Sequence, residues 1–236
     1  VLKTKFLALL LVLILFSCEE VTLVNFTETN NIYNENAIVE LNIPKAEGTS
    51  TKAQAINKVV ENHIANMLVF LEEPSDTLQL DYAIENFDSE YKSFKDGFGE
   101  SAMVWDASFD GEVTYQSPML ISIAINSYIN SGGAHGNLNV TFFNFDASTG
   151  ELLQFDDLFN DKEGLKEIVK THFEEETKGS EINYFFGEPF SLPANIGFND
   201  EGIVCFYNVY EIASCADGIT EFTVPFEDVE AYLNMY

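Results

Sequence analysis

Met119-Leu120-Ile121-Ser122-Ile123-Ala124-Ile125-Asn126 sets Met119, Ile121, Ile123 and Ile125 in alternation with Leu120, Ser122, Ala124 and Asn126. A two-residue period is that of a strand with one buried face, because successive side chains point to opposite sides of a sheet. Such a strand needs neighbours and a cover. Upstream, the pattern predicts a strand from about Met103 to Tyr115, broken near Asp110-Gly111; downstream, it predicts one from Leu138 to Phe145, after the glycine-rich Ser131-Gly132-Gly133-Ala134-His135-Gly136-Asn137. The connections are too short for helical crossovers, so the three are read as antiparallel neighbours.

The cover comes from earlier in the chain. Thr51 with Gln54 makes a capping box for a helix whose Ile56, Val59, Val60, Ile64, Met67 and Leu71 recur at helical spacing. A second helix carries Leu80, Ile84, Phe87, Tyr91 and Phe94, with Gly97 and Gly99 marking its end. Before both, Ile32 to Ile43 is strand-like and stops at Pro44. Beyond the central strands come a turn at Ser148-Thr149-Gly150 and a short strand from Leu152 to Phe155. A helix capped by Asn160 and Asp161 bears Leu165, Ile168, Val169 and Phe173. Strands from Gly202 to Ile212 and Phe222 to Val224 follow, then a closing helix from Glu227 to Leu233 behind Pro225. Helices and strands arrive in blocks, which predicts an α+β fold with helices packed on an antiparallel sheet. Two lobes, 32–130 and 131–236, are expected to share one continuous sheet, preceded by a tether over 18–31.

Eleven lysines, no arginine and 39 acids give the 236 residues a net charge of −28. Without guanidinium forks and with this sign, binding to nucleic acid is excluded as an expectation; a cationic partner, or none, remains, a solvated surface being the plainer reading of the acidity. Lys3 and Lys5 precede an apolar run from Phe6 to Phe16 that is shorter than the roughly 20 residues a membrane span needs. It reads as the core of a signal peptide over 1–17. Its end, Leu15-Phe16-Ser17-Cys18, resembles the lipobox of bacterial lipoproteins, and this resemblance implies a membrane anchor through acyl chains on Cys18. Glu19 and Glu20 look like the surface-export signal of Bacteroidetes lipoproteins, which leaves periplasmic and surface display both open. The mature chain would keep 9 lysines against 39 acids, a charge of −30. Such a body attracts basic proteins, an effect that salt weakens.

Few residues point to chemistry. His135 sits among glycines that permit close approach and positive φ; it reads either as a ligand-facing group or, preferably, as the cap of a structural hairpin. His63 and His172 adjoin apolar helix positions, and no histidine pair or cysteine cluster has metal-ligand spacing. Asp156-Asp157 and Glu174-Glu175-Glu176 lack the alternating acids of a calcium loop. If the strand at Cys205 ran straight on, Cys215 would lie about 33 Å away, beyond disulfide reach, so Cys205 is read as a small core residue. Tyr210-Glu211 is placed within a strand and read as packing and cross-strand hydrogen bonding, with contact between an exposed Glu211 and a partner as the alternative.

Tyr128, Ser131 to Asn137, Asn144-Phe145-Asp146, Thr149-Gly150 and Asp156-Asp157-Leu158-Phe159 follow in the order found in the C-terminal domain of RsiV-type proteins. Phe198, Gly202, Phe206, Tyr210-Glu211-Ile212, Gly218 and Val224-Pro225-Phe226 agree with it. Asn36 to Ile43, Pro44, Gly48 and Ile56-Asn57 resemble the companion domain named after the deacetylase PdaC. The resemblance implies an extracytoplasmic binding protein of the envelope, with a lysozyme-like cationic protein or a peptidoglycan fragment as partner. Gly132, Gly133, His135, Asn137 and Glu211 are its candidate ligand-binding residues. Signalling across a membrane is not expected to carry over, and no catalytic residue, metal or cofactor is assigned. The alternatives are a peptidoglycan- or carbohydrate-processing enzyme and a structural surface lipoprotein.

Overall fold

The computed structural model describes residues 23–69, 71, 73–98 and 103–234. The signal peptide, Cys18 and Gly99 therefore lie outside the described residues. Eight strands form two hydrogen-bonded sheets. The first holds β1 (Phe26–Tyr33), β2 (Ile38–Ala46), β3 (Asp106–Gln116), β4 (Leu120–Asn130) and β5 (Asn137–Asp146) in sequence order. All pairs are antiparallel except β2 with β3. That parallel pair needs a long crossover, supplied by α1 (Thr51–Leu68) and α2 (Leu80–Phe98).

Both helices cover one face of this sheet. Ile56, Val60, Ile64 and Leu68 of α1, with Ile84, Phe87 and Tyr91 of α2, pack in one buried cluster with Val39, Leu41, Phe109, Ile121, Ile123, Ile125 and Phe145. Full burial of each large apolar side chain contributes about 1.5–3 kcal/mol. The second sheet, β6 (Asn195–Phe198), β7 (Gly202–Tyr207) and β8 (Thr220–Pro225), is antiparallel. Its cluster joins Leu165, Val169 and Phe173 of α4 (Lys162–Glu176) to Phe198, Ile203, Tyr207 and Val224, and includes Leu120 of β4. Two short helices, α3 (Phe155–Leu158) and α5 (Phe226–Val229), and three 3-10 turns, Tyr184–Gly187, Cys215–Asp217 and Glu230–Tyr232, complete the described elements.

The α+β class holds, and several details differ from expectation. Two sheets replace the continuous one, because at Val140 and Phe142 the outer edge of β5 meets asparagine side chains rather than a strand of the second sheet. Asn208 Oδ1 accepts from the Val140 N–H at 2.8 Å and its Nδ2 donates to the Val140 carbonyl at 3.0 Å. Asn195 accepts from the Phe142 N–H and donates to the Val140 carbonyl, and Asn144 Nδ2 donates to the Ile196 carbonyl. Residues 137–146, placed by the sequence in the second lobe, are the fifth strand of the first sheet.

The chain enters the sheet at Phe26 rather than near Ile32. β1 is an edge strand with mostly exposed side chains, so it lacks the apolar pattern that marks a strand. β3 runs unbroken through Asp110-Gly111, its irregularity lying between Val113 and Tyr115. Gly111 is there for closeness: a β-carbon would sit 2.6 Å from Ile125 and 2.7 Å from Pro44. Ser50, not Thr51, caps α1 by accepting from the Ala53 N–H, while Gln54 reaches the Thr49 carbonyl. Asp161 caps α4, and Asn160 instead binds the carbonyls of Ala231 and Leu233. Gly97 lies within α2, and Leu152 makes only an isolated bridge to Phe145.

Candidate functional site

The face of the first sheet that the helices leave uncovered meets the second sheet in a cleft of about 430 Å³. β3 contributes Asp110, Gly111 and Glu112, β4 Ala124 and Asn126, and β5 Leu138, Val140 and Phe142. The second lobe adds Phe206, Asn208, Ile219 and Glu221. Strand alternation selects this set: Asp110 and Glu112 of β3, Ala124 and Asn126 of β4, and Leu138, Val140 and Phe142 of β5 are the alternate residues that point away from the helices. Apolar contact comes from Phe142 and Phe206, with ring centroids 6.2 Å apart, and from the exposed Leu138 and Ile219. Polar contact comes from three carboxylates and two asparagines. Asn42 Nδ2 holds the Asp110 carboxylate at 3.1 Å.

Among the described residues no cation lines this cleft, and the reason lies in where the lysines sit. Lys52 and Lys58 are on α1, Lys92 and Lys95 on α2, and Lys162, Lys166 and Lys170 on α4. Lys45 leaves β2 on the helix side, 3.8 Å from Glu61 of α1, and Lys178 follows the end of α4. From Gly179 to Tyr236 there are ten Asp and Glu and no Lys, Arg or His. This segregation was readable in the sequence, but only tertiary structure turns it into an anionic surface.

The glycine–histidine loop is the tip of the β4–β5 hairpin. Gly132 adopts φ +82, and a β-carbon there would lie 3.0 Å from Trp105 Nε1. Its N–H donates to Asn130 Oδ1. Gly136 packs against the Tyr128 ring, and His135 Nδ1 sits 2.9 Å from the Gly136 carbonyl. Gly132, Gly133, His135 and Asn137 are exposed and lie outside the cleft lining, which begins one residue later at Leu138.

Glu211 is not in a strand. β7 stops at Tyr207, and the Glu211 carboxylate folds back to accept from the N–H groups of Asn208 and Ala194 at 2.9 and 2.8 Å. It is a positioning residue that fixes the loop carrying Asn208.

Several other titratable groups make structural contacts. Burial pushes the Cys205 thiol up, and both Cys205 and the exposed Cys215 are free. Burial, with the charges of Cys205 and Glu211, raises the Tyr207 hydroxyl, which donates to the Ser191 carbonyl. His172 Nε2 pairs with Asp228 at 3.0 Å. Among the described residues no group of three or more His, Cys, Asp or Glu is arranged to hold a metal ion.

The loops beside Glu211 carry a signal that sequence reading missed. Phe185, Phe186 and Tyr210 have φ of 57, 54 and 67, and they are the non-glycine residues of positive φ among those described. With Gly187 at +88, Phe185 and Phe186 form a short left-handed turn. Left-handed backbone costs a residue with a β-carbon roughly 1–2 kcal/mol.

Residues 27–138 match the family model described as deacetylase PdaC, and residues 156–227 match a protein family of unknown function, DUF3298. A DUF3298 family protein of Pseudomonas aeruginosa PAO1 superposes with a TM-score of 0.64 at 17% identity, covering 90% of this chain and 95% of its own. A DUF3298 member from Bacteroides fragilis gives 0.62 at 19% identity, covering 89% and 92%. At these identities the likeness is one of fold. No curated protein matches the chain. With a PdaC-type region leading into a DUF3298 region, the chain has the two-domain architecture that its own residues led us to expect.

Proposed function

We propose that this chain is an extracytoplasmic binding protein of the cell envelope, anchored by acyl chains on Cys18, whose cleft takes a cationic partner. The observation that carries the reading is the cleft itself: Asp110, Glu112 and Glu221 line it beside Phe142 and Phe206, with no basic side chain among the described residues of the lining. Carboxylates around an apolar floor suit a ligand that offers ammonium or guanidinium groups on an apolar stem. A basic protein such as a lysozyme is the candidate partner, and an amine-bearing peptidoglycan fragment is the smaller one. The chain from residue 19 onward should bind a basic lysozyme at low salt and progressively less as salt rises. Replacing the three acids as D110N, E112Q and E221Q should weaken binding at least tenfold. Absence of binding at low salt, or binding indifferent to salt, rules this partner out.

A second reading follows from the name of the family model matched by residues 27–138, that of a deacetylase. Incubation with N-acetylated peptidoglycan separates the two: acetate released above a heat-denatured control establishes turnover, whereas the binding reading expects none.

A further inference from the structure

Phe186 and Tyr210 hold aromatic rings outward from backbone conformations that favour glycine. Phe186 is 58% exposed and Tyr210 57%. Rings this exposed add little to the core, and left-handed backbone opposes any side chain with a β-carbon. Neither packing nor local conformation therefore accounts for an aromatic residue at either position. The two lie on adjoining loops, joined where the Phe185 N–H donates to the Ile212 carbonyl at 2.6 Å.

The surroundings impose this geometry. Phe185 packs on Phe173, Phe190 and Tyr207, and Glu211 ties its loop to Ala194. Strained residues that neighbours over-determine cluster at binding sites, and exposed aromatic rings are the side chains that most often anchor protein interfaces. Glu181, Glu188 and Asp217 flank the two rings in sequence, and no cation follows Lys178.

We infer that Phe186 and Tyr210 are the anchors through which this chain docks a basic protein, with the flanking acids as the rim of the contact. The inference deepens the cationic-partner reading and rests on it.

The test pairs affinity with stability. In the chain from residue 19 onward, Phe186→Gly and Tyr210→Gly should hold or raise the melting temperature, since glycine accepts the left-handed backbone. Each should weaken binding of a basic lysozyme about tenfold or more. Phe186→Asn and Tyr210→Asn, which also tolerate positive φ, serve if a glycine variant fails to fold, and Phe186→Tyr should keep the parent affinity. Variants that melt normally and bind as tightly as the parent overturn the anchoring role and leave the acidic cleft standing. A parent chain that binds no lysozyme at low salt overturns both readings.

Discussion

His63 shows how one buried residue sets a pH dependence. It projects from α1 against Phe143, ring centroids 4.9 Å apart, and its Nε2 has no partner among the described residues. Burial lowers its pKa from 6.5 to about 4. The folded state keeps it neutral while the unfolded chain protonates below pH 6.5. Its contribution is therefore fully present above pH 6.5 and is lost as pH falls toward 4. Asp88 and Asp146 act at lower pH. Burial works against the Asp88 carboxylate but is outweighed by Asn36, the Ala37 N–H and Lys92, while the Ser148 hydroxyl, against an opposing burial effect, leads the groups that hold Asp146 down. Their stabilisation is present above the ordinary value of 3.8 and fades below it. Between pH 7 and pH 5 the parent should lose about 2 kcal/mol of unfolding free energy. His63→Leu should lose much less, and equal losses in denaturant titrations would refute the assignment. Gly150 is the second residue-scale case. At φ +79, with a would-be β-carbon 2.7 Å from Lys52 Cα, Gly150→Ala should cost about 2 kcal/mol or more, measured the same way.

Among the elements, β5 carries the joint of the molecule. A strand edge normally pairs with another strand or is left to water. Here Asn195 and Asn208 substitute side-chain amides for a ladder, each offering a donor and an acceptor. Asn208→Ala leaves the Val140 N–H without that partner and should destabilise by about 1–3 kcal/mol. A double mutant with Asn195→Ala should cost more than the sum of the singles, since either amide alone still satisfies the Val140 carbonyl and only the double mutant strips it of both. Strictly additive losses would show the two to be independent. The same joint explains why one continuous sheet is the natural reading of the sequence. β6 is four residues long and follows two prolines, too short to register as a period, and an asparagine that replaces a backbone partner looks like any loop asparagine. The sequence placed Glu211 within a strand, whereas β7 stops at Tyr207, and its inward turn toward Ala194 depends on a chain segment distant in sequence.

At the scale of the whole molecule, charge separates with secondary structure: the described lysines lie on or beside α1, α2 and α4, and the described charged residues of the strand-side cleft are all acids. Crowding like charges opposes folding, and counterions relieve it. Added sodium chloride should therefore raise the melting temperature while weakening capture of a basic lysozyme. If both moved in the same direction, the charged cleft would not be the cause. The alternation of Met119 to Asn126, the helical spacing of Ile56 to Leu68 and the net charge were local or summed properties, so the sequence by itself determined the α+β class, the central antiparallel strands, their helical cover and the acidity. Edge strand β1, the division into two sheets, the cleft and the outward rings of Phe186 and Tyr210 depend on which distant groups meet. Only the tertiary structure decided them, because a backbone donor takes whichever acceptor packing brings near, and that choice leaves no periodic trace along the chain.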